Sequence, residues 1–124
     1  MASKHEEHKE DVKFRVLRLL NENPEMSTRQ IAAKVGISNG SAYYCLTELL
    51  KKGMLKFANF TASKHKGRYA YILTPRGIRE KVLLATKFLE RKSREFEELK
   101  NEIEDLKEEL KVESLDNVKK VTVR

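Results

Sequence analysis

Apolar residues recur at helical spacing in three stretches in the first half of the chain. Their spacing predicts helices over about residues 10–21, 28–35 and 39–52, preceded by a disordered N-terminus at residues 1–9. The apolar positions are Val12, Val16, Leu17, Leu19 and Leu20 in the first stretch, Ile31, Ala32 and Val35 in the second, and Ala42, Leu46, Leu49 and Leu50 in the third.

Residues that start and stop helices stand at the expected boundaries. Pro24 disfavours helical geometry at the residue before it. Ser27 with Gln30 three residues later matches a capping box, and Gly36 is suited to a left-handed C-terminal stop. Ser38 can cap the third helix. Two short helices joined by a glycine-containing turn predict a helix-turn-helix.

A hairpin is predicted after the third helix, which ends at Gly53. Residues 55–57 and 69–73 alternate at period two, and the segment "TASKHKG" between them is basic and turn-prone. This pattern predicts a wing with a basic tip. We expect Phe57, Tyr69 and Tyr71 to be mostly buried.

A long helix is predicted after the hairpin, with Thr74 as its cap and Pro75 at its first position. Its apolar residues fall in a heptad pattern that only Lys92 interrupts, which predicts a dimerising coiled coil over residues 75–112 and a flexible tail over residues 113–124. The a positions are Val82, Leu89, Phe96, Ile103 and Leu110, and the d positions are Ile78, Ala85, Lys92, Leu99 and Leu106.

Charges beside this seam indicate how two such helices would be oriented. In a parallel pair, Glu95 and Glu102 face Lys100 and Lys107 of the partner, whereas antiparallel pairing sets like charges together. The sequence therefore favours a parallel homodimer, with a small energy for each exposed pair. A helix packed on its own domain is the alternative.

Together these elements predict a mainly α chain with a small β-hairpin. Its fold class is a winged helix-turn-helix, at residues 10–74, followed by a long C-terminal coiled-coil helix.

Charge is distributed unevenly along the chain, which carries +7 overall. Residues 1–77 hold 14 Lys/Arg and 7 Asp/Glu, whereas residues 78–124 hold 12 of each. A basic half followed by a neutral half favours a polyanion-binding domain joined to an assembly element. We expect a cytoplasmic protein, since no apolar run approaches the roughly 20 residues that span a bilayer.

The segments "STRQIAAKVGIS", "NGSAYYCLTELLKKGML" and "LTPRG" together resemble the winged helix-turn-helix of the MarR-type transcriptional regulators. The stretch "ANFTASKHKGRYAYILTPRGI" is most similar to the small branch of that family associated with exopolysaccharide gene clusters. The resemblance implies a dimeric DNA-binding repressor or activator. The chain departs from it in lacking a long helix before the first helix of the motif.

The third helix is expected to enter the major groove with its N-terminal end, and the wing to reach phosphates or the adjoining minor groove. Asn39 can pair with an adenine edge, and Gly40 lets the backbone approach a phosphate. The absence of arginine from this face favours A/T-rich or shape-led recognition. The predicted DNA-binding residues are Thr28, Arg29, Ser38, Asn39, Gly40, Ser41, Tyr43, Tyr44, Thr47, Lys51, Lys64, His65, Lys66 and Arg68.

Other functions are weighed against this one. No catalytic constellation is visible, and we expect no enzyme, no cofactor, no metal and no small-molecule ligand. A protein-interaction scaffold and an RNA-binding module are the alternatives; the RNA reading requires exposed wing aromatics. Cys45 is more typical of a buried filler than of a redox switch, and "HEEH" at residues 5–8 is a weak metal motif.

Overall fold

The computed structural model describes residues 3–59 and 69–122. In chain order the elements are α1 (Lys4–Glu22), α2 (Thr28–Val35), α3 (Asn39–Lys51), β1 (Leu55–Asn59), β2 (Tyr69–Leu73) and α4 (Pro75–Thr122). The predicted fold class, a winged helix-turn-helix followed by a long C-terminal helix, is confirmed.

The residues that the sequence predicts to cap α2 and α3 form those caps in the structure. Ser27 and Gln30 form both hydrogen bonds of a capping box, since each side chain accepts from the other residue's backbone N–H, at 3.1 and 2.9 Å. Gly36 is left-handed, with φ 80°. The Ser38 hydroxyl accepts from the backbone N–H of Ser41 at 3.1 Å, which caps α3.

The first helix begins earlier than the sequence predicts. Residues 4–9, expected to be disordered, are helical, and Ser3 caps them by accepting a hydrogen bond from the Glu6 N–H at 3.2 Å. The carboxylates of Glu6 and Glu7 lie in the first turn, where their negative charge interacts favourably with the positive end of the helix dipole and stabilises the helix. The disorder prediction was wrong for these residues because it gave no weight to this cap.

The hairpin is antiparallel, with Leu55 opposite Leu73 and Phe57 opposite Tyr71. The Phe57 and Tyr71 rings pack at 4.9 Å between centroids. The other edge of β2 is held by the turn after α1, because the Tyr71 N–H donates to the carbonyl of Pro24 at 3.0 Å. The base of the hairpin is therefore fixed on both sides of β2.

The structure divides into two compact units, residues 1–87 and 88–124. The first unit has an apolar core built from all its elements, including one residue of α4, Leu84, which the heptad pattern did not single out. Its fully buried side chains include Val16, Leu17, Leu20, Ile31, Leu46 and Leu49. The start of α4 is also tied to α1 by ion pairs from Lys13 to Glu80 at 3.1 Å and from Lys87 to Glu10 at 3.7 Å.

The start of α4 is fixed by backbone contact with the end of the helix-turn-helix. The Thr74 hydroxyl accepts from the Gly77 N–H at 3.1 Å, as its predicted role as a cap requires. The Thr74 N–H donates to the Met54 carbonyl at 3.1 Å. A Cβ on Gly77 would lie 2.1 Å from that same carbonyl oxygen, so only glycine fits at this position.

In the residues that the structure describes, the second unit consists of α4 alone. No side chain that the structure describes between residues 88 and 115 is buried, although the segment carries many apolar residues. Helix α4 continues to Thr122, through most of the segment that the sequence predicts to be a flexible tail. Neither glycine nor proline interrupts the helix there, and helix can persist where the heptad pattern has ended.

The predicted seam lies mainly at the surface. In the first unit Ala85 is half-buried, whereas Ile78 and Val82 are exposed. In the second unit Lys92 is exposed and pairs with Glu95 at 3.2 Å. The exposed apolar seam residues of the second unit are Leu89, Phe96, Leu99, Ile103, Leu106 and Leu110.

Candidate nucleic-acid interface

Helix α3 has one face in the core and one in solvent. Ala42, Leu46 and Leu49 are buried, as predicted, whereas Leu50 is half-buried. The opposite face carries the predicted reading residues, and its exposed members are Asn39, Gly40, Ser41, Tyr43 and Tyr44. A helix anchored on one side and bare on the other can be inserted into a groove without disturbing the core.

The two tyrosines are the largest exposed side chains on this face. Tyr43 is 67% exposed and Tyr44 is 60% exposed. Exposure of this size favours an outward role for both side chains over packing in the core. Each presents a hydroxyl and a ring face to solvent.

Hydrogen bonds at the cap of α3 and within the helix restrict what the hydroxyls of Ser38 and Thr47 can offer to a ligand. The Ser38 hydroxyl donates to the Ser41 hydroxyl at 2.9 Å. The Thr47 hydroxyl donates to the Tyr43 carbonyl at 2.9 Å, and its side chain is half-buried. Thr47 is therefore placed to offer its methyl group or an oxygen lone pair, whereas its proton is already engaged.

Positive and polar groups stand at both ends of the motif. Arg29, in the first turn of α2, is exposed, and Thr28 beside it is half-buried. Lys51 is exposed at the end of α3, where its ammonium lies 3.9 Å from the Glu48 carboxylate. An exposed pair of this length is weak, so Lys51 can exchange its partner for a phosphate at little cost.

The basic tip of the wing lies outside the described residues. This applies to four predicted contacts, Lys64, His65, Lys66 and Arg68. At the base of the wing, Phe57 is 56% exposed and Tyr71 half-buried, so the expectation that these aromatics are mostly buried was wrong for Phe57. Leu55 is the last residue on this side of β1 to reach the core, and Phe57 lies beyond it.

The charge asymmetry follows the two structural units. Residues 1–87 hold 17 Lys/Arg and 8 Asp/Glu, a net charge of +9, whereas residues 88–124 hold 9 and 11, a net charge of −2. The unit that contains the helix-turn-helix therefore carries all of the excess positive charge. Such a field attracts a polyanion and is screened by salt.

Cys45 lies on the side of α3 that faces α1 and is partly buried. Burial raises the pKa of its thiol, while the ammonium groups of Lys13 and Lys52 oppose that rise. Lys52 follows Cys45 by seven residues, so the sequence alone could have placed the two on one face of a helix. Lys13 lies in another helix, so no local pattern could have predicted that it approaches Cys45. Because burial has the larger effect, the thiol is not activated at neutral pH.

Neither a membrane span nor a metal cluster occurs in the described parts of the chain. No helix there is both long and apolar enough to cross a bilayer. No group of three or more His, Cys, Asp or Glu side chains is arranged to hold a metal ion in residues 3–59 and 69–122. His5 and His8 of the "HEEH" motif are exposed on α1.

The helix-turn-helix is the part of the chain that matches a known protein family. Residues 9–56 match the model of a winged helix-turn-helix DNA-binding family. No curated protein sequence matches the chain.

Several solved structures share the fold. The chain is similar to ZitR of Lactococcus lactis, solved in complex with DNA, at 22% identity and a TM-score of 0.57 over 89% of this chain and 73% of that one. It is also similar to a MarR/EmrR family regulator of Acinetobacter sp. ADP1, at 18% identity and a TM-score of 0.57 over 66% of this chain and 56% of that one.

A third similar structure is the PcaV transcriptional regulator of Streptomyces coelicolor, at 20% identity and a TM-score of 0.53 over 64% of this chain and 57% of that one. The chain thus spans a little over half the length of the PcaV and Acinetobacter proteins. The family model matched by residues 9–56 is that of a DNA-binding domain, and these solved structures share its fold. The chain therefore has the fold of a winged helix-turn-helix, its residues 9–56 match a DNA-binding family of that fold, and one of the structures that it resembles is a MarR/EmrR family regulator.

Proposed function

We propose that the protein is a sequence-specific, double-stranded DNA-binding transcriptional regulator that acts as a homodimer. The observation that carries the proposal is the outer face of α3, where exposed polar and aromatic residues stand on a helix whose other face is buried. The net charge of +9 on the same unit supplies the attraction to phosphate.

The residues divide by the kind of contact they would make. Asn39 and Tyr43 are the base-reading side chains, because both are exposed near the N-terminal end of α3. Arg29 and Lys51 hold phosphates on either side of the reading helix. The four basic residues of the wing tip remain a prediction from the sequence.

Dimerisation through α4 completes the proposal. In the second unit the exposed seam residues recur at heptad spacing, and covering them requires a partner helix. With one recognition helix in each protomer, the operator would contain two half-sites roughly 34 Å apart. Exopolysaccharide-related genes are the proposed targets. Only the wing segment supports them, through its resemblance to the branch of regulators associated with exopolysaccharide gene clusters, and genomic footprinting of the bound protein would test them.

A gel-shift titration against salt tests the DNA-binding proposal. We expect nanomolar-range binding to a selected site, with a steep loss of affinity as salt rises. Arg29→Ala should lower the salt slope by about one unit and weaken all sequences alike, whereas Asn39→Ala should weaken the selected site most. Lys111→Ala, an exposed change in the second unit, is the matched control for lost charge.

The protein-interaction scaffold predicts a different result in the same titration. A scaffold shows little affinity for DNA at any salt concentration and no steep salt dependence. Weak, salt-insensitive binding by the folded protein would therefore favour the scaffold.

One observation favours RNA binding as a second candidate function. The exposed Phe57 ring can stack on an unpaired base, a contact worth about 1–3 kcal/mol. Phe57→Ala should leave duplex DNA binding unchanged if the DNA proposal is right. Single-stranded RNA bound more tightly than duplex DNA, and lost in Phe57→Ala, would favour the RNA function.

A further inference from the structure

The heptad seam of α4 carries one charged residue at a core position. Lys92 stands at a d position between Leu89 and Phe96, which occupy the a positions before and after it. All three residues belong to the second structural unit and are exposed in the single chain. In the proposed dimer this layer of the seam would hold a strongly hydrated ammonium group where leucine would stabilise the pair more.

The ammonium group of Lys92 lies on one flank of the seam. Its Nζ atom is 3.2 Å from a carboxylate oxygen of Glu95 and 5.4 Å from the centroid of the Phe88 ring. Phe88 and Glu95 both occupy g positions, one heptad apart. The apolar stem of the lysine can therefore stay between two helices while its charge remains at the edge, next to solvent.

The other core residues of the seam do not select the number of strands. Parallel two-stranded coiled coils are favoured by β-branched residues at a and leucine at d. Here the a positions hold valine, leucine, phenylalanine, isoleucine and leucine, and the d positions include Ile78 and Ala85. A single asparagine or lysine at a core position specifies strand number and register at a cost in stability, and Lys92 is the residue of this kind in the seam.

Strand number matters because the edge of the seam is open only in a two-stranded coil. In a dimer each core residue lies beside solvent on one flank, so both copies of Lys92 can keep their contacts with Glu95. With three or four strands the core is enclosed, and the same lysines would lose water and crowd like charges together.

Register depends on the same residue. When two helices pair in register, their lysines share one layer and interrupt the apolar contacts once. A shift by one heptad sets each lysine against an apolar d residue, Ala85 or Leu99 of the other helix, so two layers are interrupted. Antiparallel pairing has the same cost wherever the two copies of Lys92 do not meet.

We infer that Lys92, with Glu95 as its counter-charge, limits the α4 seam to two parallel strands in register. The inference rests on the homodimer of the proposed function and states which assemblies that dimer excludes. Two strands match the two half-sites of an operator, with one recognition helix for each. Three or four strands would leave recognition helices without a half-site.

Sedimentation equilibrium of the full-length protein tests the inference, with Lys92→Leu as the central variant. We expect the wild type to form dimers only, and Lys92→Leu to associate at least about tenfold more tightly and to form trimers or tetramers. Lys92→Arg keeps the charge and should stay dimeric. Lys111→Leu makes the same change at an exposed lysine outside the seam and should behave as the wild type does.

Glu95→Gln tests the counter-charge. The change leaves Lys92 without its carboxylate partner, so we expect it to weaken the dimer about fivefold more in the wild type than in Lys92→Leu. The contact of Glu95 with Lys100 of the partner is lost in both backgrounds, so the difference between them belongs to Lys92. An equal effect in the two backgrounds would contradict the role of Glu95.

Cysteine cross-linking tests the register. A mixture of Leu99→Cys and Leu106→Cys chains forms a mixed disulfide across the seam when two helices are shifted by one heptad. We expect this product to be absent when both chains keep Lys92, and to appear when both carry Lys92→Leu. The wild type, whose one cysteine is Cys45, reports the background. Equal yields of the mixed disulfide with and without Lys92 would overturn its role in register.

These outcomes separate the inference from the proposed function. A wild type that is monomeric at every concentration rejects the homodimer, and the inference with it. A dimeric wild type together with a Lys92→Leu variant that is also purely dimeric and in register rejects the role of Lys92 alone. Absence of DNA binding in the gel-shift titration rejects the regulator, whereas the sedimentation result still decides the assembly.

Discussion

The two units of this chain use apolar residues in opposite ways. In residues 1–87 the apolar side chains of four helices and a hairpin bury one another, whereas in residues 88–115 none of the described side chains is buried. Burying a leucine contributes about 1.5–3 kcal/mol, so the exposed seam of the second unit represents stabilisation that a single chain does not realise. We expect the first unit to be stable through its own core, and the second to gain stability by pairing with a partner helix, as the proposed dimer requires.

Leu17→Ala should give the largest effect, because Leu17 is fully buried in the first unit. We expect the free energy of unfolding to fall by about 2–5 kcal/mol, from lost transfer energy and the cavity left behind. Urea denaturation monitored by tyrosine fluorescence measures it, because all four tyrosines of the chain belong to residues 1–87. The loss should not depend on protein concentration, and a strong concentration dependence would mean that the core of the first unit is not self-sufficient.

Leu106→Ala in the second unit should act through association. Each protomer loses about 1.5–3 kcal/mol of burial in the dimer, so with two protomers the dissociation constant should rise at least about a hundredfold. Sedimentation at several concentrations measures the change, and the tyrosine-monitored unfolding of the first unit should stay the same. Glu108→Ala, an exposed position outside the seam, is the control.

Gly77→Ala tests the backbone contact that fixes the start of α4. The added Cβ meets the Met54 carbonyl oxygen, so the chain must shift, and we expect a loss of about 1–3 kcal/mol. Gly40→Ala is the matched control, because a Cβ there meets only the Ser38 hydroxyl, at 4.0 Å. Thermal unfolding of the two variants should differ, and equal melting temperatures would show that α4 can move away from Met54.

The smallest effect is expected from exchanging charges beside the seam. Lys100→Glu should weaken a parallel dimer by roughly 0.5 kcal/mol per pair, and adding Glu95→Lys should restore it. Disulfide formation by Leu106→Cys under mild oxidation provides the geometric check, since parallel pairing brings the two copies of this position together. Absence of the cross-linked dimer would contradict the parallel arrangement.

The sequence predicted those parts of the fold that depend on local rules. Ser27, Gly36, Ser38 and Pro75 act through hydrogen bonds or backbone angles within a few residues, and each stands where its pattern placed it. Leu84 follows no helix-turn-helix signal and lies off the heptad seam, so its burial appears only once α4 is placed in the first unit.

Tertiary contacts account for what the sequence missed at the candidate site. Lys13 approaches Cys45 from another helix, so no local pattern in the sequence could indicate its effect on the thiol. The period-two pattern of β1 places Phe57 on the same side as the buried Leu55, but the core ends at Leu55. Such a pattern predicts which side of a strand faces the core, but not how far along the strand the core extends.

The hydrogen bond from Tyr71 to Pro24 has a consequence for how this fold can diversify. Pro24 accepts through its carbonyl but has no N–H to return, so the bond anchors β2 without extending the sheet by a third strand. The register of the hairpin base is thus fixed by residues outside the wing tip. A change in the number of residues between 59 and 69 would leave this anchor in place, because neither Tyr71 nor Pro24 belongs to that segment.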